Sequence, residues 1–245
     1  MDEIIVKKAL SYSLGADLHD AWCQQELLAF FKRANQEYKK TKNFGESFRN
    51  ACFVGEEKRN EVEIDTSYLE GHEGYVSRCL TDFNVFMNLF HHGVITVKRF
   101  APVQISLEEA SKLGADYKDG KENVLRDFSS LSSESKTDSL EAARVAIDLV
   151  YNRIMFGDVI SLEDMEQLGA IVHIEWLRRN PWVFDPNRGN PKLAVPYSEL
   201  SKEEQERDKA QVYLAQDKVH AYIEGLIDIN AICVQNKIVT VGRRI

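Results

Sequence analysis

Apolar residues recur along this chain at helical spacing far more often than at strand spacing. From Ala16 to Lys40 there is no Gly or Pro, and Leu27, Phe30, Phe31, Ala34 and Tyr38 fall three and four apart, which predicts a long helix with one buried face. From Asn43 to Ser67 that period is broken by Gly45 and Gly55, and Val62 and Ile64 alternate with charges as in a short, half-exposed strand. Phe83, Phe86, Met87 and Phe90 restore a helical stripe that stops at Gly93, and Val94 to Phe100 alternates like a strand closed by Pro102. Ser106 with Glu109 reads as a capping box that opens a short helix, followed by a charged loop from Gly114 to Gly120. The serine-rich stretch from Ser129 to Ser139 is expected to start a helix, with Ser132 as its cap, and Ser161 with Asp164 opens the helix that carries His173 and Trp176. Pro181, Pro186, Gly189, Pro191 and Pro196 exclude regular structure and predict a shaped loop. A last helix is expected from about Lys202 to Gly225, and a terminal strand from Lys237 to Val241. The sum is a mainly α chain with short β-strands, of the α+β class.

Two fragments recur. Leu18-His19-Asp20-Ala21-Trp22 matches Val172-His173-Ile174-Glu175-Trp176, an apolar residue, His, two variable positions and Trp. Phe128-Ser-Ser-Leu131-Ser132-Ser-Glu134 matches Tyr197-Ser-Glu-Leu200-Ser201-Lys-Glu203 without a gap. Carried on without a gap, the second match sets Ala143, Ile147, Val150 and Ile154 against Val212, Gln216, Val219 and Ile223, so the apolar stripes agree except at Gln216. Agreement downstream of a short motif points to duplication. The division it predicts is residues 1–156 as repeat one and 157–245 as repeat two, with a long insertion in repeat one between about residues 45 and 115.

The segment Val172-His173-Ile-Glu-Trp176, a loop holding Trp182, and Val195-Pro196-Tyr197-Ser-Glu-Leu200 leading into an acidic helix through Asp208 resemble the RyR domain, the repeat module of ryanodine receptors also found in bacterial and phage proteins. The resemblance spans Glu163 to Gly225. It is weaker in repeat one, where Asp127, Phe128 and Ser139 stand in place of Pro, Tyr and Asp, and in repeat two Asn180-Pro181-Trp182-Val183-Phe184 replaces the usual Gly-rich turn. It implies binding and assembly rather than a reaction, with sensing of nucleotide-derived ligands suggested for some prokaryotic members.

The residues themselves give His173 and Trp176 one helix face, Trp176 filling the core and His173 bonding a carbonyl of the Pro-rich loop. No second His or carboxylate stands near His173 at ligand spacing, and His19 with Cys23 lacks two further metal ligands. His19, Trp22, Phe128 and Leu131, with His173, Trp176, Pro196 and Leu200, are therefore expected to be structural. Within the loop, Trp182, Phe184, Arg188, Lys192 and Tyr197 combine aromatic faces with two cations, the composition that holds a planar anion or an acidic segment of a partner.

Composition narrows the alternatives. At 44% hydrophobic and 29% charged, 245 residues bury one large core or two modest ones and are too apolar for disorder. No apolar run approaches the ~20 residues of a membrane span, and the start MDEIIVKKALSYSLG has no signal-peptide core, so a cytoplasmic protein is expected, or a virion component if the gene is a phage's. Four cysteines without a CxxC pair fit reduced thiols. A net charge of −8 disfavours nucleic acid; the densest basic runs, Lys39/Lys40/Lys42 and Arg243/Arg244, lack interleaved aromatics. The run from Glu56 to Glu61 reads as a solvated charge cluster. With no GxSxG, P-loop, GxGxxG, HExxH or zinc-ligand set, neither catalysis nor a cofactor is expected. The leading expectation is a binding protein for a small, nucleotide-derived ligand or a protein segment. The alternative is an assembly subunit whose insertion makes subunit contacts or a homo-oligomer; the Phe83/Phe86/Met87/Phe90 stripe suits either an internal core or such an interface.

Overall fold

A computed structural model describes residues 2–65, 67, 74, 78–186 and 189–238. The chain is mainly α with short antiparallel strands. It forms two compact units, one of Met1–His19 with Thr137–Ile245 and one of Asp20–Lys136. The repeat predicted a divide at 156/157; compactness divides the chain elsewhere. The stretch read as an insertion belongs to a unit with a core of its own.

The helix α1 (Glu3–Thr41) runs well N-terminal of its expected start. Its Val6, Ala9, Leu10 and Leu14 belong to the first core, and its Leu27, Phe30, Phe31 and Ala34 to the second. The unit of Asp20–Lys136 continues with α2 (Phe44–Ala51), where the helical period was expected to be broken. Asn43 starts it by accepting from the Glu46 N–H at 3.0 Å, and Phe44, Phe48 and Ala51 share a face. The strands β1 (Phe53–Val54) and β2 (Glu57–Lys58) pair, and β3 (Glu61–Ile64) pairs with β4 (Ile95–Lys98). Between them lies α3 (Phe83–His91). Its stripe is interior: Phe86 is wholly buried, with ring centroids of Phe30, Phe31 and Phe48 at 6.2, 5.7 and 6.3 Å. The stripe therefore contributes to this core, with Phe86 buried and Phe83, Met87 and Phe90 packed against it and partly exposed.

A third sheet has the order β5-β7-β6, with β5 (Phe100–Pro102), β6 (Tyr117–Lys118) and β7 (Lys121–Asn123). Pro102 pairs with Lys121 rather than closing the unit, and the predicted charged loop is largely a hairpin turning at Asp119-Gly120. The short helix α4 (Leu107–Leu113) has its Ser106 cap, but the Glu109 side chain reaches Ser133 Oγ at 2.9 Å. The carboxylate of Glu122, with no exposed surface, accepts from the Ser132 N–H at 2.9 Å and from the hydroxyls of Ser132 and Ser135 at 2.5 Å each.

In the other unit, α5 (Ser133–Met155, from Thr137 on), α6 (Leu162–Arg179), α7 (Lys202–Ile223) and α8 (Ile229–Gln235) enclose the first core with α1 residues. Ala143, Ala146, Ile147 and Val150 are wholly buried on α5, as are Val212, Ala215 and Val219 on α7. The starts of these two helices are built alike. A 3-10 turn, Phe128–Ser130 or Tyr197–Glu199, precedes a buried Leu131 or Leu200 and a serine, Ser132 or Ser201, that accepts from an N–H three residues on at 3.2 Å in both.

Their ends are built alike too. Phe156, Gly157 and Asp158 donate to Asn152, Ile154 and Arg153 carbonyls at 3.0, 3.0 and 2.9 Å. Glu224, Gly225 and Leu226 donate to His220, Tyr222 and Ala221 at 2.9, 3.0 and 2.8 Å. Gly157 and Gly225 supply the left-handed residue, with φ of 81° and 75°. Between these matching ends α5 has 23 residues and α7 has 22. Ile154 is buried, whereas Ile223, its partner in the gap-free alignment, is 51% exposed. The terminal strand expected from Lys237 to Val241 falls mostly outside the described residues, as do Arg243 and Arg244. Among the described residues no helix is long and apolar enough to cross a membrane.

Candidate functional site

The Pro-rich loop is held by α6 and α7. The start of α6 is fixed by a full capping box, Ser161 Oγ accepting from the Asp164 N–H at 3.1 Å and Asp164 accepting from the Ser161 N–H at 2.9 Å. Three turns on, His173 points inward and is 3% exposed. Its Nε2 lies 2.9 Å from the Val195 carbonyl oxygen, the loop bond expected of it. A carbonyl only accepts, so Nε2 carries a hydrogen. The other ring nitrogen, Nδ1, lies 3.3 Å from Asp208 Oδ2. Two lone pairs at that separation repel, so one proton sits between imidazole and carboxyl. Burial is the largest influence on Asp208 and pushes its carboxyl up to about 6.

A carboxylate thus does stand beside His173, contrary to the expectation. The signal was present: residue 208 is four before Val212, which with Ala215 and Val219 is buried, so Asp208 starts the inward face of α7.

The loop leaves α6 through Asn180, whose Nδ2 donates to the Trp176 carbonyl at 2.9 Å and whose Oδ1 accepts from Trp182 Nε1 at 2.9 Å. Pro181 opens a 3-10 turn, Pro181–Phe184. Val183, at its middle, is 1% exposed, while Trp182 and Phe184 on either side are 50% and 58% exposed. The Val183 carbonyl accepts from the Asn190 N–H at 3.1 Å, folding the loop back on itself. Rings link the turn to the helix: His173 stacks with Trp176 at 6.1 Å, and Trp182 meets Trp176 edge-on at 6.3 Å. Trp176 is only partly buried and screens His173; it does not fill the core as expected.

Tyr197 lies half-buried over Gly169, where a Cβ would come within 2.8 Å of the phenol oxygen, so only glycine admits the ring. The phenol donates to Glu166 Oε2 at 3.1 Å, and burial with that carboxylate pushes its ionisation up to about 12. Lys209 pairs with Glu166 and, at 2.8 Å, with Glu206.

Of the residues picked from sequence, His173, Trp176, Trp182 and Tyr197 come together, with Pro196 exposed and Leu200 buried at the foot of α7. Phe184 and Lys192 are exposed and outside this ring set, and Arg188 lies outside the described residues. In repeat one, His19, Phe128 and Leu131 are buried. Trp22 is partly buried against the second core, with the Arg99 guanidinium 5.3 Å from its ring. The two indoles therefore sit in different surroundings, although the 3-10 turns and serine caps at residues 128–132 and 197–201 are built alike. Among the described residues, no group of three His, Cys, Asp or Glu could hold a metal ion.

No protein-family model, curated protein or solved structure matches this chain.

Proposed function

We propose that the chain is a non-catalytic binding protein and that the turn at Trp182 and Phe184 is its contact surface, within an RyR-like repeat reaching from Glu163 to Gly225. The observation that carries this reading is the exposure of two large aromatics on a turn whose own backbone is fixed. Val183 is buried between them, Asn180 holds the indole nitrogen, and His173 ties down the returning strand of the loop. Exposed aromatics lose less entropy on binding when the turn beneath them is already ordered. His173 is buried and its bond to the Val195 carbonyl fastens the loop, while Asp208, partly exposed on α7, holds its other ring nitrogen. The occupant is a small, nucleotide-derived ligand or a segment of a protein partner.

The test is a thermal-shift screen of the purified chain against a nucleotide library and a peptide array, repeated with Trp182→Ala/Phe184→Ala. A hit that raises the midpoint of the native chain and leaves the double variant unmoved supports the reading. A hit that shifts both equally places the contact elsewhere. Turnover in a hydrolase and nucleotidase screen would contradict the non-catalytic part.

The second reading, an assembly subunit, draws on another feature. Phe156, Val159 and Leu162, around the α5–α6 turn, are 83, 90 and 81% exposed. Apolar groups clustered this way favour association. A monomeric mass in solution that persists at high concentration speaks against self-assembly.

A further inference from the structure

Positive charge in the unit of Asp20–Lys136 gathers at a place no single stretch of sequence marks. A cavity of about 290 Å³ is lined by four cations, Lys58, Arg59, Lys118 and Lys121, and by two acids, Glu61 and Asp119. The excess of two positive charges stands in a chain whose net charge is −8. Glu61 serves two of these cations at once, with Lys58 Nζ at 3.3 Å and Lys118 Nζ at 3.6 Å. Lys121 has no carboxylate partner among the described residues, and it stands directly across the hairpin from Lys118. Like charges opposed on paired strands are unfavourable unless something anionic lies between them.

Two neutral-looking details of the wall point the same way. Asn60 is 2% exposed; its Oδ1 is taken by the Arg33 guanidinium at 3.0 Å, which fixes the amide, and its Nδ2 is buried with no acceptor among the described residues. The Nε of Arg59 is buried without an acceptor as well, while its Nη2 holds Glu26 at 3.1 Å. Donors and cations are thus in surplus over acceptors on the wall and just behind it. Phe100, partly exposed at the start of β5, adds an apolar ring to the lining.

We propose that this cavity binds a small phosphorylated molecule, the ammonium groups of Lys58, Lys118 and Lys121 holding its phosphate oxygens and the Phe100 ring packing against its organic part. With Arg59 engaged by Glu26, the unpaired positive charge sits on the lysines; a phosphate group offsets it, and several ammonium groups suit its several oxygens. The volume is at the lower edge of ligand pockets, which fits a phosphate with a sugar or base and excludes a long polymer. The site shares no residue with the Pro-rich loop, so the failure of one leaves the other standing.

Isothermal titration of the full chain at low ionic strength, with inorganic pyrophosphate and with AMP as probes, tests this. Saturable one-site binding of both is expected, weakened about ten-fold or more in Lys118→Gln/Lys121→Gln. Removing two opposed charges from an exposed hairpin relieves a repulsion, so that variant keeps its fold. Lys32→Gln/Lys39→Gln, which deletes two exposed lysines of α1, is expected to bind as the parent does, and Phe100→Ala to weaken AMP alone. The proposal is overturned by the absence of saturable binding, or by equal losses in both lysine pairs, which would show diffuse attraction. Binding of pyrophosphate without AMP would overturn the role of Phe100.

Discussion

Replacing Asp208 by Asn tests the buried proton at the base of the Pro-rich loop. The native carboxyl titrates at about 6 against an ordinary 3.8, because burial disfavours its charge. The native state therefore keeps, between those two values, a proton that the unfolded chain has released. A raised carboxyl contributes stability that is full below 3.8 and lost as pH climbs through about 6. At ~1.4 kcal/mol for each pH unit the ceiling is about 3 kcal/mol. The Asp208 side chain retains 13% of its exposure and shares the proton with His173, so about half of that ceiling, ~1–2 kcal/mol, is the expected effect. Asn cannot ionise, and its amide still donates to Nδ1. Urea unfolding followed by indole fluorescence from pH 4 to 7.5 measures the difference between the two chains, in which titrations elsewhere cancel. The variant is expected to gain on the native chain by that amount as pH rises. A flat difference, or one in which the native chain gains, refutes the reasoning; the second result would reveal an ionised carboxylate clasped by an imidazolium.

Two further outcomes follow from contacts elsewhere. Glu122→Ala strands the Ser132 N–H and two hydroxyls in a buried place and is expected to cost about 3 kcal/mol in chemical denaturation, against about 1 for Ser132→Ala alone; equal costs would show that the carboxylate adds nothing. Gly169→Ala drives a methyl against the Tyr197 phenol and Lys209 Cγ, at 2.8 and 2.9 Å, and is expected to cost about 2 kcal/mol and to free the phenol from Glu166, read as a fall in its ionisation pH by ultraviolet titration.

What could be read from the sequence was mostly local. The serine starts at 106, 132, 161 and 201 were legible because a cap depends on neighbours within one turn. The stripe of α1 was legible because its period repeats over many turns. The helix α2 is not legible because Gly45 breaks the pattern at its start, where helical positions tolerate glycine, and the β6–β7 hairpin because Asp119-Gly120 sits in a charged stretch that reads as loop. Asp208 was readable in principle from its register with Val212 and Ala215. The cationic cavity was not, because residues 58–61, Phe100 and the 118–121 turn come from three separate small sheets and meet only in the folded unit. The two compact units were illegible for a different reason: a recurring sequence pattern reflects local likeness, while compactness reflects which apolar faces bury each other.

The unequal lengths of α5 and α7 carry a geometric consequence. Their glycine stops are copies of one another, yet the second comes one residue sooner, and each helical residue advances the chain by about 100° of rotation and about 1.5 Å. The departing chain is therefore re-aimed by more than a quarter of a circle relative to the common apolar stripe. At the stop Ile154 corresponds to Tyr222, which packs on the core, and Ile223 corresponds to Met155, which is 45% exposed as Ile223 itself is 51% exposed. A difference of one residue thus suffices to send two like corners in different directions, so that α6 and α8 leave at different angles to the stripe without any change in the corner itself.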